Sequence, residues 1–172
     1  MRILPFVQTI ALVCCGLMTG VLLGDRLGPT YARPALAPSS FIVLQQITHV
    51  HYGKVLPKFM AGALAGGLLW LILIRAQRSH IQFWLLAFAV AAITAAAAVT
   101  IHVNFPINDE LMTWSAAAPP DDLRQIWSTW EKAHTARTIL WVSAFVFEVA
   151  ALAFATSTVG FSELPEGDKR IG

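Results

Sequence analysis

Charge is scarce in this chain. Only 13% of the residues are Asp, Glu, Lys or Arg, against ~25% in an ordinary soluble domain. One soluble domain fits within 172 residues, but a water-facing surface of that size cannot be covered with so few charges. The net charge of +2 is small and its basic residues are dispersed, so there is no electrostatic footprint for nucleic acid. Cysteine is nearly missing too. The two present, Cys14 and Cys15, are neighbours inside an apolar run and read as small packing residues rather than a disulfide. No C-x-x-C-H haem-attachment signature occurs. No internal repeat at solenoid-like periods is evident, and the only low-complexity stretch is the alanine run at 95–98.

What the chain has in quantity is apolar sequence, 56% of all residues. It is gathered into four blocks: Ile3–Leu23, Met60–Ile74, Ile81–Val103 and Thr138–Val159. Each is near the ~20 residues that cross a hydrocarbon core. Only a helix satisfies its own backbone in lipid within one segment. The expected fold is therefore all-α: an integral membrane four-helix bundle with spans at about 3–23, 57–75, 81–103 and 136–159. The first block exceeds the ~7–15 residues of a signal-peptide core and is read as a retained span. Residues 161–172 read as a short, mobile C-terminal tail.

Orientation follows from Lys and Arg placement. With the N-terminus inside, Arg2, Arg75, Arg78, Lys169 and Arg170 lie inside, and Arg26, Arg33, Lys54, Lys58, Arg124, Lys132 and Arg137 lie outside. The raw count opposes this threading. Density favours it, because Arg75 and Arg78 sit in a very short hairpin and short loops carry the rule best. The expectation is a protein of the plasma or inner membrane with both termini cytoplasmic.

Small residues recur at helical spacing: Gly16, Gly20 and Gly24 in the first span, Gly62 and Gly66 in the second, Ala87, Ala91 and Ala95 in the third. Such stripes let backbones approach closely in lipid. Internal bundle packing is the expected use. The connections Gly24–Pro57 and Asn104–Ala133 are long. In the first, Ser39-Ser40 are expected to cap a helix starting at Phe41, which Pro57 would kink or restart. In the second, Pro106 is expected to stop the helix, and Pro119-Pro120-Asp121-Asp122 to start the last one. That helix would begin outside the membrane and run into the fourth span.

Read as one helix, this last segment places Trp127, Trp130, His134, Arg137, Trp141 and Glu148 on one stripe. The tryptophans are expected to form an interfacial belt. Glu148 lies ~21 Å below His134 by helical rise, and a carboxyl at that depth must be neutral, paired or facing a polar cavity. On the proposed threading His49, His51, His102 and His134 all fall on one side of the bilayer, and His80 on the other. Gln45 and His49 are i, i+4 partners, and Asn104 and Asn108 follow His102. Imidazoles gathered at one level can ligate haem, copper or iron. Glu131 and His134 have the Glu-x-x-His spacing of carboxylate metal bundles, although only one such pair occurs. No recognised metal motif is present, so no metal ligands are assigned.

The segments QQITHVHYGKVLP (Gln45–Pro57), NFPINDELMTW (Asn104–Trp114) and WSTWEKAHTAR (Trp127–Arg137) resemble the signature segments of the anthrone-oxygenase-like family of small membrane proteins. The resemblance runs along nearly the whole chain. It is most specific at Pro-x-Asn followed by Leu and Trp, and at Trp130, His134 and Arg137. It implies four membrane helices and, for the few members with an assigned role, oxidation of an anthrone to an anthraquinone by dioxygen without an obvious cofactor. On that reading His134 or His102 is the base. Arg137 stabilises the anion with Asn104 or Asn108. Trp114, Trp130, Phe105, Gln45 and His49 contact a flat hydrophobic aromatic molecule reached from the bilayer. Two alternatives stand beside it: a haem- or metal-binding redox subunit, and a non-catalytic assembly partner. Oligomeric state is open.

Overall fold

The computed structural model describes residues 3–78 and 80–160, with side chains through Ala155. The tail expected at 161–172 lies outside the described residues. Six helices appear among them: α1 (Ile3–Leu27), α2 (Pro29–Ala32), α3 (Pro38–Leu73), α4 (Ile81–Val99), α5 (Phe105–Leu111) and α6 (Leu123–Gly160). The four helical stretches Ile3–Ala35, Pro38–Leu73, Ile81–Leu111 and Leu123–Ala155 are each long and apolar enough to cross a membrane. The chain is an all-α membrane protein whose last helix continues beyond the span.

Helix α1 packs on α3 and α6, and α4 on α6 and α3. Small residues bring α1 against α3. A Cβ at Gly66 would lie 3.1 Å from the backbone of Ala11, and one at Gly62 would meet Cys14 Sγ. The glycine stripe of α1 is used only in part, because Gly20 and Gly24 have nothing within 4 Å of a Cβ position. In α4 the expected stripe is also displaced: Ala89, Ile93 and Ala96 are buried, whereas Ala91 and Ala95 are exposed. Both faces of α4 are apolar, so hydropathy alone did not say which one packs.

Three apolar clusters stack along the bundle. Val7, Ala11, Trp70, Ile74, Leu86 and Ala151 close one end. Cys15, Met18, Leu22, Ala63, Ile93, Trp141 and Ala144 fill the middle. Phe41, Ile42, Leu111, Trp114, Leu123, Trp127 and Trp130 close the other end. Val13, Leu17, Leu69, Ile72, Phe88 and Val146 point outward, as lipid-facing residues do in a bundle whose surroundings are apolar.

The prolines act differently from expectation. Helix α3 is one uninterrupted helix of 36 residues, about 54 Å long. It starts with Pro38 in its first turn, with no side-chain cap, so Ser39 and Ser40 lie within the helix. Proline needs no amide partner at that position. Pro57 is absorbed inside the helix. Pro106 does not end the third helical stretch either. A π-helical turn at Thr100–Asn104 joins α4 to α5, with the Phe105 amide bonded to the Thr100 carbonyl. The extra residue resets the hydrogen-bond ladder, and Pro106 then falls in the first turn of α5, where a missing N–H costs nothing.

Candidate active site

The α5 end of the bundle holds a buried polar chain. Asp25, in the last turns of α1, pairs with Arg33, which enters a 3-10 turn (Arg33–Ala35) after α2. Gly28 and the prolines at 29 and 34 fold this connection back over the bundle. Arg33 Nη1 also donates to Glu131 Oε1 of α6 at 2.7 Å and to Thr30 Oγ1 at 3.1 Å. Arg124 of α6 holds the same connection by donating to the carbonyl oxygens of Arg33 and Leu36 at 3.2 and 2.7 Å. The chain then continues through His134, whose Nε2 lies 3.1 Å from Asp25 Oδ2.

The tautomer of His134 follows from its other neighbour. Arg137 places Nε 3.3 Å and Nη2 3.1 Å from His134 Nδ1. A guanidinium can only donate, so Nδ1 is the lone-pair nitrogen. The proton of the neutral ring is then on Nε2, facing Asp25. Asp25, Arg33, His134 and Arg137 are all buried, and buried charges persist only when paired and hydrogen-bonded. Arg33 takes both carboxylates. Among the described residues Arg137 has no carboxylate within ion-pair distance; its remaining hydrogen bond is to Thr100 Oγ1 at 3.4 Å.

Aromatic rings form the scaffold. The indoles of Trp127 and Trp130 stack at 4.4 Å between centroids, and the imidazole of His134 continues the column at 4.8 Å. Helical spacing of three and four aligns them on α6. Both guanidinium groups lie beside Trp130, Arg33 at 5.5 Å and Arg137 at 5.4 Å from the ring centroid, within cation–π range. These tryptophans are buried, 5% and 8% exposed, and so do not form the interfacial belt. The belt expectation fails because Phe41 and Ile42 of α3 and Leu111 of α5 pack against this part of α6. Trp130 Nε1 donates to Asn108 Oδ1 at 2.8 Å and fixes that amide.

A partly open cavity lies against this chain. Met18, Leu22, Leu56 and Met60 make an apolar wall, and Asp25, Arg33, Gln45, His49, Asn108, His134 and Arg137 make a polar one. Of the residues singled out in the sequence, Gln45, His49, Phe105, Asn108, Trp127, Trp130, His134 and Arg137 line this space. Asn104 is fully buried beside it, donating to the Trp130 carbonyl at 3.3 Å. Trp114 packs in the apolar cluster at the bundle end. His51 and His102 are exposed, and neither lines the cavity. Glu148 is fully buried deeper in the bundle, its carboxyl group beside the Cys15 thiol and within 3.5 Å of a Cβ position at Gly67. Glu131 and His134 diverge, one to Arg33 and Trp127, the other to Asp25 and Arg137. Among the described residues no three His, Cys, Asp or Glu side chains converge as metal ligands.

Asp25 and Arg33 escaped the sequence reading because charges just past a membrane span ordinarily face headgroups and water. The available signal was the pair of prolines around Arg33, which shorten the first connection and return it to the bundle.

The fold and cavity define a membrane-embedded helical bundle with a polar, aromatic-walled site at one end. The family model described as anthrone oxygenase matches residues 47–147, more than half of the chain, and the chain belongs to that family. The matched stretch runs from α3 into α6, so Asp25 and Arg33 come from outside it. Comparisons with curated proteins and with solved structures give no match.

Proposed function

We propose that this protein oxidises a flat, hydrophobic phenolic compound of the anthrone type with dioxygen. The observation that carries the reading is the cavity's two-sided character: an apolar wall next to a buried guanidinium, Arg137, that has no carboxylate partner. Membership of the anthrone oxygenase family supports the same reading. An apolar pocket with a few convergent polar groups suits a planar ring system, and a span-lined cavity suits a molecule that partitions into lipid.

The chemistry divides into two stages. A base on the cavity wall takes a proton from the methylene carbon, and the electron pair of the broken C–H bond spreads into the ring as an anthrolate. Arg137, which lines the cavity, supplies donors that can stabilise that oxyanion, and preorganised donors of this kind give the largest single contribution in many enzymes. The anion then passes electrons to dioxygen. Over the whole reaction the methylene becomes a carbonyl, losing two hydrogens and gaining one oxygen atom. The second oxygen atom leaves as water.

In this scheme His134 is a positioning residue. Its Nδ1 aims the guanidinium of Arg137, and its Nε2–H is anchored by Asp25. Asn108, fixed by Trp130, is placed to bond a substrate oxygen. The test is dioxygen uptake by the detergent-purified protein with an anthrone as substrate, with quinone formation followed by absorbance. Uptake that matches quinone formed and falls with Arg137→Gln supports the reading. No uptake above the rate without protein would overturn it.

A further inference from the structure

A carbon acid needs a base with a lone pair that reaches the cavity. The groups facing the cavity that titrate or carry charge are Asp25 from α1, Arg33 from the turn after α2, His49 and Tyr52 from α3, and His134 and Arg137 from α6. The arginines are donors only. Asp25 has one oxygen paired with Arg33 and the other against His134. His134 has Nδ1 occupied by Arg137 and Nε2 turned to Asp25. Neither of its nitrogens can accept a proton from a substrate without dismantling a buried ion-pair chain, which costs several kcal/mol.

His49 differs from the arginines, Asp25 and His134 in being unengaged, and from the phenol of Tyr52, which carries its own proton, in that a neutral imidazole offers a basic lone pair. It lines the cavity, is half-buried, and its side chain enters none of the hydrogen bonds or ion pairs among the described residues. Its helix is continuous on both sides, so the ring is carried on a rigid element. Gln45, one turn earlier, and Tyr52, three residues later, line the same space, so this face of α3 shares the cavity with the guanidinium of Arg137.

We infer that His49 is the proton acceptor of this site: the free imidazole on α3 takes the carbon-bound proton, while His134 holds Arg137 for the anion. The step breaks one C–H bond, forms one N–H bond on His49 and leaves the electron pair on the substrate ring. It needs no oxidant. The assignment rests on the proposed oxidation only for the substrate class, and the two are separable because ionisation of the substrate precedes its reaction with dioxygen.

The experiment is anaerobic mixing of the detergent-purified protein with the dihydroxyanthrone dithranol, following the absorbance of its anion. His49→Ala is expected to bind the probe as the wild type does, yet form the anion on the order of 100-fold more slowly, as loss of a general base does. Added imidazole is expected to restore the rate, which a merely structural role for His49 would not allow. His49→Gln, which fills the same space, is expected to be as slow. His80→Gln, at the far end of the bundle, is expected to match the wild type. Anion formation at the wild-type rate in both His49 variants would overturn the assignment, as would a wild type that binds dithranol without ionising it. Anion formation that depends on His49 but leads to no oxygen uptake once air is admitted would retire the oxidation reading and leave His49 as the proton acceptor.

Discussion

His134 Nε2 and Asp25 Oδ2 meet at 3.1 Å inside the bundle, and neither atom has an aligned hydrogen-bond partner elsewhere among the described residues. One comes from the end of the first span and the other from the start of the last. Their meeting joins the two charge centres of the site. Arg33 is bound on the Asp25 side and Arg137 on the His134 side.

Asp25→Asn removes the carboxylate that Arg33 and His134 share. Breaking a buried pair by deleting one partner costs about 3–5 kcal/mol, and thermal unfolding in detergent is expected to show a loss of that order. Glu131→Gln removes the other carboxylate of Arg33, but the Glu131 side chain is 22% exposed against 8% for Asp25. Its loss is expected to be clearly smaller. Equal losses would show that the depth of Asp25 does not set its contribution.

Arg137→Lys separates charge from geometry. A lysine keeps a cation in the cavity but cannot present two donors to His134 Nδ1 while reaching Thr100. Dioxygen-dependent turnover is expected to fall about tenfold with lysine and about 100-fold or more with Arg137→Gln, in the range found for removing one oxyanion donor. A lysine variant as slow as the glutamine one would mean that orientation, rather than charge, carries the effect.

Gly66→Ala tests the contact between α1 and α3. The new methyl would meet the Ala11 backbone at 3.1 Å, and backbone cannot rotate away. Overpacking of this kind costs about 1–3 kcal/mol. Gly20→Ala on the open side of α1 has nothing within 4 Å and is expected to leave unfolding unchanged or to raise its midpoint. Unfolding midpoints in one detergent compare the two directly.

Trp130→Phe keeps an aromatic ring in the stack but deletes the donor to Asn108. The lost hydrogen bond is expected to cost about 0.5–1.5 kcal/mol. It also frees the Asn108 amide, so the KM for an anthrone is expected to rise more than kcat falls. A fall in kcat with KM unchanged would place Asn108 in the transition state rather than in binding.

Much of this architecture could be read along the chain. Hydropathy marks four apolar runs, and four helical stretches long and apolar enough to cross a membrane carry them. Helical periodicity put Trp127, Trp130, His134, Arg137 and Glu148 on one face of α6, and all five are buried there. Periodicity says which residues share a face, but not what covers it. On spacing alone the tryptophans therefore read as an interfacial belt, and the buried stripe of α4 is misplaced.

The sequence by itself determined the class of protein, the family and the polar stripe of the last helix, since composition and local spacing are enough for those. Tertiary structure decided the site. Asp25 and Arg33 reach His134 and Glu131 only because the first connection folds back over the bundle. Nε2 of His134 meets Asp25 only because α1 and α6 are neighbours. His49 stands free on the same cavity because the long helix α3 passes through Pro57 without breaking. None of these relations has a local signature, because each depends on side chains brought together by packing across helices distant in the chain.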